Sequence, residues 1–359
     1  MPSTLLIAEA GVNHDGSLDT ALKLVDAAAD AGADVVKFQT FDAQALVTDT
    51  APQATYQRER AAADSQLEML QRLQLDRAAH ERLASRCAER GIEFLSTAFD
   101  ESSLAWLQEI GLRRIKVPSG ELTNGPLLLA FARCGLPLIV STGMATLAEV
   151  ETALGVISFG LTREHGTPLG PGDLRDAYAL ALHEGALAQR VCLLHCTSSY
   201  PAVPDDVNLA AMDTLAFAFG VPVGYSDHTL GTAVSIAAVA RGATVVEKHM
   251  TLDRSRPGPD HAASLEPAEL AGLVSSIRDV EMAIGSPVKL PTSAEADTAS
   301  VARRSLVATR PIARGERFDA DNLASRRPGT GRSPMDYWRL LGRPAGRDYG
   351  EGELIDDRE

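Results

Sequence analysis

Over roughly the first 285 residues, short β-forming runs alternate with longer amphipathic ones eight times, and that alternation leaves few folds open. The β-rich runs are TLLIAEA, DVVKFQT, IEFLSTA, RIKVPSG, PLIVSTG, VCLLHCT, VPVGYSD and TVVEKHM. Between them lie stretches such as LDTALKLVDAAADAG, SSLAWLQEI, TLAEVETALGVI and GTAVSIAAVARG, whose apolar spacing is that of a helix covering one face of a sheet. Several of these stop at Gly and restart with Ala-Asp or Ile-Glu, a helix stop followed by a strand start. Strands alternating with crossover helices pair in parallel. The pattern predicts an α/β fold, a TIM-type (β/α)8 barrel; a doubly wound open sheet is the alternative.

The carboxyl ends of the eight runs are polar without exception. They carry Glu9, Lys37 with Gln39, Thr97, Lys116 with Ser119 and Glu121, and Ser141 with Thr142. His195 with Thr197 and Tyr200, Ser226 with Asp227 and His228, and Glu247 with Lys248 and His249 complete the set. One polar residue closing a strand is ordinary capping, but eight of eight mark the face on which barrel enzymes do their chemistry. The run ATVVEKHM, which turns from β-formers to charges before it ends, reads as an active-site wall.

Two longer insertions interrupt the alternation. Residues 41–65 leave the carboxyl end of the second strand, where a lid would sit, whereas residues 161–189 lead into the amino end of the sixth and suggest no function. GSPVKLPTSAEAD reads as a linker over 285–297, between a catalytic barrel at 1–284 and a small domain of short strands and turns at 298–359. That last segment holds twelve arginines, no lysine and ten acidic residues, a change of composition that marks the boundary.

Charge and cysteine usage narrow the partners. A net charge of −14 argues against nucleic acid, so the positive charge an anionic ligand needs must be local. The apolar run at the start stops at Glu9 and no run approaches a membrane span, so no membrane association is expected. Cys87, Cys134, Cys192 and Cys196 lack metal-knuckle spacing and read as reduced thiols, which suits a cytoplasmic protein.

Individual residues then suggest chemistry. His228 and His249 end neighbouring strands about 4.8 Å apart, so two inward imidazoles can share one ion with positions left for water and substrate. Oxygen-rich company favours Mn²⁺ or Mg²⁺, with two separately hydrogen-bonded histidines as the plain alternative. Lys37 and Lys116 lie in apolar strands where an ammonium is costly unless paired. With Ser119, Ser141 and Ser226 they suit an anion pocket for phosphate and carboxylate; an internal salt bridge to Glu9 or Glu121 is the competing account. Glu9, before the turn GVNHDG, is a candidate general base. His14 and His195 read as hydrogen-bonding structural residues, and GPGD and PGTG as turns without the context of a nucleotide loop.

The motifs EAGVNHDGS, VVKFQTF, FLSTAFD, IKVPSGE, IVSTGMAT, LLHCTSSYP, YSDHTLG, VEKHMTLDRSRPGPDH and RRPGTG, in that order, resemble the bacterial sialic acid synthases (N-acetylneuraminate synthases). The likeness runs through a terminal antifreeze-like (SAF) domain around Ser305 to Ile355. It implies condensation of phosphoenolpyruvate with an open-chain N-acyl hexosamine and release of phosphate. N-acetylmannosamine is the first expectation, and a 2,4-diacetamido-trideoxyhexose, as in legionaminate or pseudaminate synthesis, the alternative. By motif, His228 and His249 resemble the metal ligands and Glu9 the group that handles the attacking water. Lys37, Thr97, Lys116, Ser119, Ser141, Ser198 and Ser226 resemble the phosphoenolpyruvate pocket. Gln39, Glu121, Tyr200 and Asp260 resemble the sugar contacts, with Arg327 reaching in from the partner of a domain-swapped homodimer.

Three positions depart from the family pattern. Ala98 stands in STAF where STPF is common, Ser198 stands where some members have an amide, and Val301 is the nearest match to an aromatic that in some members packs on the sugar's N-acyl group. Two other classes compete: a Schiff-base aldolase using Lys248 or Lys116, and a non-catalytic carbohydrate- or ice-binding protein.

Overall fold

The structure, a computed structural model, describes residues 3–54, 58 and 65–356. It divides into two compact units, Met1–Gly285 and Ser286–Glu359.

The first unit contains all eight expected strands: β1 (Leu5–Gly11), β2 (Val35–Thr40), β3 (Glu93–Ala98), β4 (Ile115–Val117), β5 (Leu138–Ser141), β6 (Val191–Cys196), β7 (Val223–Asp227) and β8 (Val245–His249). They form one parallel sheet in the order β3-β2-β1-β8-β7-β6-β5-β4. β1 pairs with β8, so first and last strands meet in the middle, and β3 lies beside β4 at the remaining seam. This is the nearly closed (β/α)8 barrel that the alternation predicts, and the open doubly wound sheet is discarded. Nearly every strand residue is buried, as expected when helices cover one side and side chains fill the other.

Local signals set the helix limits. The Ser17 hydroxyl accepts from the Thr20 amide (3.3 Å) and starts Leu18–Asp30, and Asp100 accepts from the Ser103 amide (2.7 Å) and starts Glu101–Ile110. Thr146 and Glu149 form a reciprocal capping box at the start of Leu147–Thr162. Gly91 ends the helix Arg77–Arg90 in a left-handed conformation (φ 70°) that an L side chain adopts only with strain. The insertion before β6 is largely helical, with Pro171–His183 packed on Leu147–Thr162. In the insertion after β2, a short helix spans Ala43–Leu46; part of the lid expected over 41–65 lies outside the described residues. The helix Gln66–Leu73 follows.

The second unit carries a 3₁₀ turn at Ser293–Glu295, a helix at Ala296–Ala302 and an antiparallel pair, β9 (Ser305–Ala308) and β10 (Leu323–Arg326). Isolated bridges such as Val307 to Leu354 and Ile312 to Tyr349 extend it, around a core that includes Leu306, Phe318, Leu340 and Ile355. Gly329 and Gly331 have an internal packing reason. A Cβ on Gly329 would stand 2.5 Å from the Arg303 Cβ, and one on Gly331 3.1 Å from the Leu354 Cβ. No helix among the described residues is long and apolar enough to cross a membrane.

Candidate active site

The carboxyl ends of the strands enclose a cavity of about 660 Å³. The two-residue period of a strand decides what enters it: Glu247 and His249 on β8 line the cavity, and Lys248 between them does not. Lys248 lies instead 3.0 Å from Asp227 and donates to the Thr229 carbonyl at 2.5 Å, buried on the other face of the sheet. That placement removes it as a Schiff-base lysine.

At the floor, four buried charges interlock. Lys37 Nζ stands 2.5 Å from Glu9 Oε2 and 3.7 Å from Glu247 Oε2, and donates to the Thr97 hydroxyl at 3.2 Å. Lys116 Nζ donates to the Ser141 hydroxyl at 2.7 Å and lies 3.5 Å from Glu247 Oε1, which also accepts from Ser226 at 3.0 Å. The salt bridge to Glu9 considered for Lys37 is therefore present, and Lys116 pairs with Glu247 rather than Glu121. Both lysines nevertheless line the cavity.

The two carboxylates are pulled apart electrostatically. Burial raises Glu9 to about 7 against the opposing Lys37. Burial also acts upward on Glu247, but Lys116 and Lys37 outweigh it and bring it down to about 2. One carboxyl is thus poised near neutrality and the other is a fixed anion, the division of labour that acid–base sites use.

The paired histidines stand at the ends of β7 and β8 with ring centroids 5.4 Å apart and Tyr200 4.1 Å from the His228 ring. His228 Nδ1 donates to the Thr197 carbonyl at 2.8 Å, which leaves Nε2 as the nitrogen that can face an ion. Burial acts downward on this ring's pKa, but Cys196 and that carbonyl outweigh it and raise it, so an ion at Nε2 would have to displace a proton. His249 Nδ1 is buried without a hydrogen-bond partner, 3.9 Å from Asp260 Oδ2. Burial, then His228 and Lys37, push His249 well below its ordinary range, so its ring is neutral. The orphaned His249 nitrogen, in a ring 5.4 Å from one that is tied down through Nδ1, fits a cation-binding pair. No group of three or more His, Cys, Asp or Glu among the described residues is placed to hold a metal by itself.

Of the residues expected at the site, Glu9, Lys37, Gln39, Thr97, Lys116, Ser119, Ser141, Ser198, Tyr200, Ser226, His228, His249 and Asp260 all line this one cavity. Glu121 does not: it accepts from Asn124 at 2.7 Å in the loop after β4. Arg327 belongs to the second unit. His195 donates to backbone as a structural residue does, from Nε2 to the Val207 carbonyl at 2.6 Å. Glu247 is the residue to which sequence reading gave no role. Its signal was parity, since it shares the inward face of β8 with His249. Cys196, also on the cavity wall, is one of four free thiols.

Comparison with known proteins accords with this geometry. The NeuB family matches residues 24–289 and the SAF domain residues 303–357. The chain belongs to the NeuB family. It is an enzyme, a phosphoenolpyruvate-dependent transferase of sialic acid synthase type that forms a carbon–carbon bond. Within that family it is 46% identical over 356 residues to the N,N'-diacetyllegionaminic acid synthase of Campylobacter jejuni, covering 99% of each chain. It is 45% identical to the enzyme of the same name from Legionella pneumophila, over 94% of this chain and 89% of that one. A crystal structure of the N-acetylneuraminic acid synthetase of Leptospira borgpetersenii superposes with a TM-score of 0.68 at 32% identity, over 82% of this chain and 90% of that one.

Proposed function

We propose that this NeuB-family chain condenses phosphoenolpyruvate with a 2,4-diacetamido-2,4,6-trideoxyhexose to give a legionaminate-type nonulosonate and phosphate. The observation that carries the sugar is the 46% identity, along 99% of both chains, to a protein named for N,N'-diacetyllegionaminic acid. N-acetylmannosamine, the first expectation from sequence, has the weaker support: the matched sialic acid synthetase structure is 32% identical.

The floor suits the reaction. Lys37 and Lys116, with the hydroxyls of Thr97, Ser119, Ser141, Ser198 and Ser226, receive the phosphate and carboxylate of phosphoenolpyruvate. Glu247, held anionic between the lysines, fixes both ammonium groups in place. Glu9, poised near 7, accepts a proton from the water that attacks the phosphate-bearing carbon. Gln39, Tyr200 and Asp260 hold the sugar while its aldehyde meets the methylene carbon of the enol phosphate. His228 and His249 are the residues that would hold Mn²⁺ or Mg²⁺, which when bound supplies Lewis-acid polarisation of the aldehyde oxygen. Arg327 reaches the partner's barrel in a domain-swapped homodimer, as the family resemblance implies.

Phosphate release measured with phosphoenolpyruvate and each of several acylated hexoses, with mass spectrometry of the product, tests the reading. Turnover of the diacetamido sugar above N-acetylmannosamine supports it. Preference for N-acetylmannosamine overturns the sugar assignment.

A further inference from the structure

The cavity has a second wall that the chemistry at its floor does not use. Val12 beyond β1, Met69, Leu70 and Leu73 on the helix Gln66–Leu73, and Phe99 beyond β3 line it together. These five side chains are apolar, in contrast to the charged and hydroxylic floor, although Gln66 on the same helix and Gln53 also line the cavity. On the helix, Met69 and Leu73 are one turn apart and share a face with Leu70 beside it. Behind them Phe41 and Ala43 complete a small hydrophobic cluster separate from the barrel core.

The wall is built firmly. Ser65 caps the helix by accepting from the Glu68 amide at 3.1 Å, and Gln74 just past its end accepts from the Ala43 amide at 3.1 Å. Gly16 approaches its last turn so closely that a Cβ there would stand 2.2 Å from the Arg72 carbonyl oxygen. Phosphoenolpyruvate is small and carries a carboxylate and a phosphate, groups that the lysine floor suits and hydrocarbon does not. The wall therefore faces the co-substrate.

We infer that Val12, Met69, Leu70, Leu73 and Phe99 form a specificity wall that reads the apolar substituents of the sugar, namely the C6 methyl and the methyl of the 4-acetamido group. This rests on the diacetamido-sugar reading above and assigns it residues. A sugar with free hydroxyls at those positions would strip them of water against side chains unable to hydrogen-bond. A trideoxy, doubly acylated sugar buries methyl groups there instead.

The test is the ratio of kcat/KM for the 2,4-diacetamido-trideoxyhexose to that for N-acetylmannosamine, in wild type, Leu70→Asn, Leu70→Ala and Leu70→Met. Leu70 is half-buried at the edge of its cluster, so Leu70→Ala keeps the comparison available if the Asn variant fails to fold. Wild type should favour the diacetamido sugar by about ten- to a hundredfold, the scale that hydrophobic pockets reach. Leu70→Asn and Leu70→Ala should cut that ratio about fivefold or more, and Leu70→Met should restore most of it. KM for phosphoenolpyruvate reports separately whether the charged floor is intact. A ratio unchanged in both variants, or both sugars impaired equally, overturns the wall while leaving the proposed function standing. A wild type that prefers N-acetylmannosamine overturns both.

Discussion

At the scale of single residues, the floor makes two measurable commitments. Replacing Lys37 or Lys116 by Met keeps much of the volume but removes a charge-assisted hydrogen bond, about 1.5–3 kcal/mol. KM for phosphoenolpyruvate should rise about tenfold or more in either variant, read from steady-state kinetics. Unchanged KM with a lowered melting temperature would instead make the lysines purely structural. The second commitment concerns pH. Glu9 works as a carboxylate and its pKa is raised to about 7, so kcat/KM should climb as pH rises through that value and level off above it. The groups facing Glu9 set the sign of a further shift. Lys37 lowers its pKa and Glu247 raises it, so in Lys37→Met the climb should move to higher pH. A profile in wild type that stays flat down to about pH 5 would return Glu9 to the ordinary carboxylate range and reject the raised pKa.

At the scale of elements, the neighbouring strands β7 and β8 place His228 and His249 on one wall, and metal dependence follows from that pairing. Chelation should abolish turnover and Mn²⁺ or Mg²⁺ should restore it, while His228→Ala and His249→Ala should lose most of the metal affinity measured by titration calorimetry. Full turnover by metal-free enzyme would reject the pair as ligands. Elements were also what the sequence displayed best. Each strand is a compact β-rich run closed by polar residues, so the barrel and thirteen of the expected cavity residues could be read from short patterns. What escaped depends on direction and on long-range pairing. Asp227 and Lys248 sit among the strand-end charges in sequence, yet they face away from the cavity and satisfy each other. Glu247 differs from Lys248 by one position and faces in. Glu121 lies four residues past the end of a short strand, where a 3₁₀ turn over Ser119–Glu121 redirects the chain. The apolar wall on Gln66–Leu73 looks in sequence like any amphipathic helix, because nothing local says that one of its faces borders a cavity.

At the scale of the whole molecule, the open question is which barrel Arg327 serves. It is an exposed residue just beyond β10, in the second compact unit. The resemblance that assigns it to the sugar also assigns it to the partner's site in a twofold dimer, and closed symmetry makes that exchange reciprocal. Two inactive variants, Arg327→Ala and Glu9→Gln, separate the possibilities when mixed under conditions that exchange subunits. If Arg327 acts across the interface, a mixed dimer has one site carrying both lesions and one carrying neither. With full exchange of equal amounts, about half the dimers are mixed, and each has one of two sites intact, so activity should return to about a quarter of wild type. If Arg327 acts within its own chain, every site in the mixture keeps a lesion and the preparation stays inactive. No recovery after exchange has been verified, for example by mass spectrometry of differently labelled subunits, would reject the swapped arrangement and confine Arg327 to its own subunit.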